Sequence, residues 1–273
     1  MNIQRLNTKL LAMLFACTLL PFALSSCGDD DDSNSSKQQQ GENTSGGGSS
    51  SNARALSVSI DESGLTYEDL TIHLSNGTDY VYKNAPFGTV SVSIDDLPTS
   101  VAELQNLKLP NGMTSIQQSP YLQPILLVAA LNQLNYNKDE AKRMVDYIAK
   151  SVNTETRDAQ LVHFPGEGAA TYYATDWSQA MQYKKYDKVR SYLEGAKYAN
   201  NYTPEQKPYV MKMNITNYSY TADKDYVQLW LTSTQLSSQK PIGIWKYDSN
   251  GDGTFDTFWA SSFISLLHSI AEY

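Results

Sequence analysis

Apolar and polar residues alternate with a period of two between residues 55 and 97. The alternation occurs in four short stretches: 56–60, 70–74, 80–82 and 90–94. The dipeptide Asn76-Gly77 separates the second stretch from the third, and this dipeptide is typical of tight hairpin turns. A period of two with one polar face indicates antiparallel strands. We therefore expect a small four-stranded antiparallel β module over residues 55–96.

After Pro98 the hydrophobic pattern takes the period of helices. Ser100 followed by Val101, Leu104 and Leu107 predicts a short helix with a capped N-terminus. The predicted helices are 100–107, 121–134, 137–150 and 176–192. The second helix is apolar on nearly every side, so we expect it to be buried all round.

From Pro208 the strand period returns. The predicted strands are 209–215, 226–231, 241–247 and 255–260, and a closing helix is predicted over 262–273. Helices followed by an antiparallel meander indicate an α+β fold. The expected architecture is the small β module, followed by one domain over residues 97–273 in which a helical segment packs on the meander.

The first 26 residues have the pattern of a signal peptide. Arg5 and Lys9 precede an apolar run over residues 10–24, which is short for a membrane span of about 20 residues. The run ends at Leu24-Ser25-Ser26-Cys27, which resembles the lipobox of bacterial lipoproteins. This resemblance implies cleavage before Cys27 and acylation of its thiol. Two or three acyl chains hold a protein firmly, so we expect the mature protein to be anchored to a membrane.

An acidic run, Asp29 to Asp32, follows the lipidated cysteine directly. It resembles the signal that sends lipoproteins to the outer face of the outer membrane in Bacteroides-like bacteria, and this resemblance implies surface display. A spacer extended by repulsion between like charges explains the same residues and leaves a periplasmic orientation open. Residues 27–54 contain few apolar side chains and are expected to form a flexible tether.

Charge and cysteine content exclude some partners and cross-links. The chain has a formal net charge of −8, and loss of the first 26 residues, which hold two basic and no acidic residues, makes it −10. This balance argues against nucleic-acid partners, which need a basic surface. Cys17 leaves with the signal peptide and Cys27 is acylated, so we expect no disulfide in the mature protein.

A series of motifs after residue 97 resembles an uncharacterised domain found in gut bacteria. The motifs, in order, are Leu97-Pro98-Thr99-Ser100-Val101 with Glu103-Leu104, Ser119-Pro120-Tyr121 with Ala129-Ala130-Leu131-Asn132, Tyr192-Leu193 with Gly195-Ala196, Asn200-Asn201-Tyr202-Thr203-Pro204, Pro208-Tyr209 and Tyr218-Ser219-Tyr220. The resemblance implies one domain over residues 97–273 and carries no activity and no catalytic residue. The chain departs from the pattern at Asp248, where an Asp-rich turn replaces a short hairpin loop.

No known catalytic motif is present. The chain has no metalloprotease, nucleophile-elbow, phosphate-loop or dinucleotide-binding pattern, and His163 and His268 are isolated in sequence. The absence of motifs favours a binding or adhesion module over an enzyme. The alternative is an extracytoplasmic enzyme, such as a glycan-processing hydrolase, with an unfamiliar site.

Aromatic residues suggest a ligand class. The chain has 19 tyrosines, and Tyr172, Tyr173 and Trp177 lie in a region rich in them. Aromatic rings stack on sugar rings, so these three residues are our candidates for a glycan-binding surface. Packing between helices and sheet is the alternative explanation of the same residues. The expected partners are a glycan or a surface protein, besides the membrane that holds the anchor.

The Asp-rich turn is a candidate calcium site. Its oxygen donors would be Asp248, Asn250, Asp252, the Thr254 carbonyl and Asp256, with Gly253 at the bend. Trp259 stands where an EF-hand needs an acidic residue, so an EF-hand is excluded. The spacing instead resembles the hairpin calcium loops of integrin-type propeller blades, which implies a structural Ca²⁺ ion. A tight hairpin without an ion explains the Asn-Gly and Asp-Gly pairs as well.

Overall fold

The computed structural model describes residues 53–149, 174–183, 186–223, 225–236 and 238–268. These residues belong to one compact unit, Gly48–Tyr273. The predictions for Cys27, Asp29 to Asp32, Tyr172 and Tyr173 therefore lie outside the described residues. Within the described ranges, no helix is both long enough and apolar enough to cross a membrane.

The structure is built on one antiparallel sheet of six strands, which lie side by side in chain order. The strands are β1 (Val58–His73), β2 (Asp79–Ile94), β3 (Tyr209–Ile215), β4 (Tyr226–Leu231), β5 (Lys240–Tyr247) and β6 (Thr257–Ala260). Short helices accompany the sheet, so the α+β prediction is confirmed.

The N-terminal strands differ in detail from the prediction, because β1 and β2 are two long strands and not four short ones. The polar residues between the apolar stretches stay extended and form bulges, at Asp61/Gly64 and at Glu68/Leu70. Each bulge shifts the alternation, which is why the pattern indicated a gap there. β2 also pairs with β3 from Gly88 opposite Ile215 onward. The predicted module and the predicted meander are therefore parts of one sheet.

The helices begin close to the residues at which the sequence predicts them to begin. They are α1 (Val101–Gln105), α2 (Leu122–Gln133), α3 (Lys138–Ala149), α4 (Ala174–Ala180) and α5 (Ser265–His268). The Ser100 side chain caps α1 by accepting a hydrogen bond from the Glu103 amide, and Asn137 accepts one from Glu140 at the start of α3. The helix predicted over 176–192 is divided between α4 and a 3₁₀ segment, Asp187–Tyr192.

The core joins α2 to one face of the sheet. α2 is buried on every side, as its apolar composition predicted, and α3 buries one apolar stripe that includes Met144 and Ile148. The sheet contributes alternate residues to the same core: Val90, Val92, Met211, Met213, Leu229, Leu231, Ile242 and Ile244. Because side chains alternate along a strand, the intervening residues form the second face of the sheet.

Candidate ligand-binding face of the sheet

The second face of the sheet carries an unusual set of residues. Directly paired residues of antiparallel strands point to the same side, so the register of β2 to β6 identifies the members of this face. We call it the aromatic face, and it consists of Thr89, Ser91, Ser93, Val210, Lys212, Asn214, Tyr226, Gln228, Trp230, Pro241, Gly243, Trp245, Tyr247, Thr257, Trp259 and Ser261. All of these residues except Trp259 keep part of their surface exposed.

Tyr226 and Trp245 form the centre of the aromatic half. They are paired across β4 and β5, and their ring centroids lie 4.8 Å apart in an edge arrangement. Gly243 leaves room for the Tyr226 ring, because a Cβ atom at this position would overlap the ring. The glycine thus allows the tyrosine to lie across β5, against the surface of the sheet.

Trp259 anchors the far side of this half. It is paired with Trp245 and is only 3% exposed, and its ring lies 6.3 Å from that of Tyr247. Trp230 lies on β4, four residues along from Tyr226, and is partly exposed. The partly exposed aromatic residues of the face are therefore Tyr226, Trp230, Trp245 and Tyr247.

The other half of the face is polar. Thr89 donates a hydrogen bond of 2.6 Å to the Asn214 Oδ1 atom, so the Asn214 amide nitrogen keeps its two N–H donors. The Gln228 side chain makes no hydrogen bond to the described residues. Lys212 is neutralised by Glu194 at 2.9 Å. The face therefore offers hydrogen bonds without an unpaired charge.

The Asp-rich turn joins β5 to β6 directly beyond Tyr247. Asp248 accepts hydrogen bonds from the backbone amides of Gly251, Asp252 and Gly253. Asp256 accepts two from Ser249. Burial alone would raise the pKa of Asp256, but the hydrogen bonds from Ser249 outweigh it and hold the pKa below its ordinary value.

The turn thus holds its own shape through its carboxylates. The Asp252 carboxylate accepts from the Thr254 amide and from the Asn250 side chain. In the described part of the chain, no group of three or more His, Cys, Asp or Glu side chains is arranged to hold a metal ion. The five predicted donors are close in sequence, but their carboxylates are used within the turn.

Of the three aromatic residues that the sequence offers as glycan-binding candidates, the structure describes Trp177. Trp177 is 8% exposed and its ring lies 4.6 Å from that of Phe263, so it packs in the core and its faces are covered. Tyr186 and Tyr192 are buried as well. Packing therefore accounts for Trp177, while Tyr172 and Tyr173 lie outside the described residues.

Sequence reasoning missed the aromatic face although the signal was present. The predicted strand 226–231 alternates Tyr226, Gln228 and Trp230 with three core residues, and 241–247 does the same with Trp245 and Tyr247. The two strands had to be aligned before these rings could be assigned to one surface. That alignment depends on the register between strands, which a single strand pattern does not contain.

The candidate catalytic groups among the described residues do not form a cluster. His73 is exposed and lies 2.7 Å from Asp79, and His268 is exposed beside Tyr183. His163 lies outside the described residues. Asp146 is the one unusual carboxyl group: its Oδ1 atom is buried without a hydrogen-bond partner in the described ranges, and burial raises its pKa.

Comparison with known families agrees with the extent of the domain. The model of a family described as Domain of unknown function (DUF6935) matches residues 96–271, more than half of the chain. The chain belongs to this family. The DUF6935 match begins next to residue 97, where the sequence resemblance placed the start of an uncharacterised domain, and it includes β3 to β6 with most of the aromatic face. Neither a curated protein nor a solved structure matches the chain.

Proposed function

We propose that this protein is a lipid-anchored binding module displayed at the cell surface, and that its aromatic face binds glycans. The observation that carries the proposal is the combination of four partly exposed aromatic rings with uncharged hydrogen-bonding groups on one sheet surface. Glycans require both features. Their C–H faces stack on aromatic rings, and their hydroxyl groups need donors and acceptors.

The anchor is supported by the sequence before the domain. The lipobox-like segment ending at Cys27 provides a site for acylation, and the aspartates after it provide an outer-surface signal. The tether ends at Arg54, whose side chain is bound to the domain. Its guanidinium donates two hydrogen bonds to Glu103, at 2.6 and 2.9 Å, and one to Asp96. The outer membrane is the location that these features favour.

A glycan array probed with the purified mature protein tests the proposal. We expect selective binding to a limited set of polysaccharides. A pulldown from surface extracts supplies the matching test for a protein partner. Binding to a surface protein with no glycan signal on the array would contradict the assignment of the aromatic face to glycans.

Asp146 favours an enzyme as a second candidate function. A carboxyl group whose pKa is raised by burial is typical of a general acid, for example in glycoside hydrolysis. New reducing ends released from an array-positive polysaccharide, and their loss in Asp146→Asn, would establish this candidate. A bound polysaccharide that stays intact for hours would leave the binding module as the function.

Calcium in the Asp-rich turn remains a prediction. The ion would be structural and would hold the β5–β6 turn at the end of the aromatic face. The donors in question are Asp248, Asn250, Asp252, the Thr254 carbonyl and Asp256.

A further inference from the structure

The charges of the aromatic face differ from those of the rest of the chain. The chain has 29 acidic and 21 basic residues. On the aromatic face, the one charged member is Lys212, and its ammonium group is paired with Glu194. Beside the face, Asp61 of β1 is paired with Ser91 and is exposed, so the neighbouring charge is negative and gives the face no preference for acidic glycans.

The face also contains polar atoms that the described part of the protein does not satisfy. The Trp230 indole nitrogen is buried and has no hydrogen-bond partner among the described residues. Gln228 lies two residues away on the same strand, and Asn214 is paired directly with Trp230. A ligand rich in hydroxyl groups can bond to the Gln228 and Asn214 amides, because hydroxyl oxygens both accept and donate.

Asn214 and Trp230 belong to a row of paired residues that crosses the sheet. Thr89 is paired with Asn214, Asn214 with Trp230, and Trp230 with Pro241, so the row crosses four strands. Three strand spacings amount to about 14 Å. A single sugar ring is too short to contact the whole row, whereas a chain of sugars lying across the strands contacts all of it.

From these observations we infer that the ligand is an uncharged, extended oligosaccharide chain that lies across β2 to β5. The inference rests on the proposed glycan-binding function and specifies the class of glycan. Trp230 and Tyr226 contact the sugar faces, and Asn214 and Gln228 hydrogen-bond the hydroxyl groups. Uronic-acid and sulfated polymers are excluded as preferred ligands.

Titration of the full-length mature protein in detergent tests this inference. The probes are neutral glucan and xylan oligomers of increasing length, polygalacturonate and heparin, each at low and high salt. We expect a neutral oligomer to bind with an affinity that is independent of salt and increases from the monosaccharide to at least the trimer. The binding of a charged ligand would instead become weaker at high salt, because salt screens the attraction between charges.

Variants connect the binding to the face. Asn214→Ala is expected to weaken neutral-oligomer binding about three- to tenfold, the value of one lost hydrogen bond. Asn217→Ala removes an exposed amide outside the face and serves as the matched control. If Asn214→Ala does not fold, as judged by circular dichroism, Gln228→Ala takes its place with the same expectation.

Different outcomes separate the two proposals. Preferred binding of polygalacturonate or heparin, weakened by salt, overturns the inference and leaves the glycan-binding function in place. Equal affinity for monosaccharide and trimer also overturns it, because a chain across the strands is then unnecessary. The absence of binding to any glycan, charged or neutral, overturns the proposed function as well.

Discussion

Single residues determine whether the aromatic face can form, and Gly243 is the clearest case. A Cβ atom there would overlap the Tyr226 ring. We expect Gly243→Ala to destabilise the protein by about 1–3 kcal/mol, the usual cost of overpacking, and to displace the Tyr226 ring. Urea unfolding of the variant measures this cost.

The double variant Gly243→Ala with Tyr226→Ala tests the cause. Removing the ring relieves the overlap with Tyr226 but not the close approach of the Ser261 Oγ atom, so the alanine at position 243 should cost less in this background. An equal cost in both backgrounds would show that the Tyr226 ring is not the reason for the glycine.

The ion pairs of Arg54 with Glu103 and Asp96 should make the stability of the domain depend on pH. Burial alone would raise the pKa of Glu103 and Asp96, but hydrogen bonds from Arg54, Thr99 and Lys207 hold both pKa values below their ordinary ones. Each carboxylate therefore binds a proton less readily when folded than when unfolded. Its stabilising contribution is complete above the ordinary pKa of about 4 and is lost as the pH falls through the lowered value.

We expect Glu103→Gln to lower the free energy of unfolding at neutral pH by about 1–2 kcal/mol, allowing for screening at the half-exposed Arg54. The variant should lose part of the decrease in stability that the wild-type protein shows in acid. Urea titrations at neutral and acidic pH measure both effects. Glu205→Gln, at an exposed position, is the control, and an acid response in Glu103→Gln equal to that of this control would refute the account.

At the residue scale, the sequence predicted caps better than contacts. Ser100 and Asn137 cap helices as expected, because capping involves groups three residues apart. For Trp177 the sequence left a glycan surface and core packing open, and the structure places it in the core, because its environment depends on Phe263, 86 residues later in the chain. Long-range contacts of this kind are absent from a local pattern.

Among the elements, the β5–β6 turn carries a prediction of its own. Three carboxylates within nine residues repel one another, and a calcium ion between them would remove this cost. We expect a saturable heat of calcium binding, and a lower melting midpoint in chelator. Asp248→Ala should abolish both effects, whereas Asp79→Asn, at the exposed β1–β2 hairpin, should not.

The hydrogen bonds of the turn provide the alternative outcome. Asp248 already bonds three backbone amides, so the turn can keep its shape without an ion. No heat of binding and an unchanged midpoint would mean that the turn is a hairpin connection only.

Element prediction succeeded where the pattern was regular. The strands β3 to β5 and the helices α2 and α3 were predicted nearly to their ends, because their apolar positions recur without interruption. The long strands β1 and β2 were divided in the prediction because bulges interrupt the alternation. The pairing of β2 with β3 joins segments more than 100 residues apart, which the pattern of a strand does not encode.

On the scale of the whole molecule, attachment depends on Cys27. We expect Cys27→Ala to release the protein from membranes, since the chain has no other apolar run near 20 residues. Membrane fractionation with a salt wash measures the release. A variant that stays with the outer membrane after washing would show that the anchor lies elsewhere.

The aspartates at positions 29–32 are predicted to determine whether the protein lies on the outer or the periplasmic face of the outer membrane. Replacing all four with alanine should move the protein to the periplasmic face without releasing it. Protease treatment of intact cells is the measurement, with a known surface lipoprotein as control. Equal digestion of variant and wild type would reduce the aspartates to a spacer.

The central claim is that the aromatic face is the ligand-binding surface, and paired double variants test it most directly. Tyr226→Ala with Trp230→Ala removes two rings of the face, and Tyr198→Ala with Tyr218→Ala removes two tyrosines that are 73% and 79% exposed elsewhere. Each is titrated with the glycan selected on the array. We predict an affinity at least about tenfold lower for the first double variant and an unchanged affinity for the second. A folded Tyr226/Trp230 double variant with wild-type affinity would contradict the account.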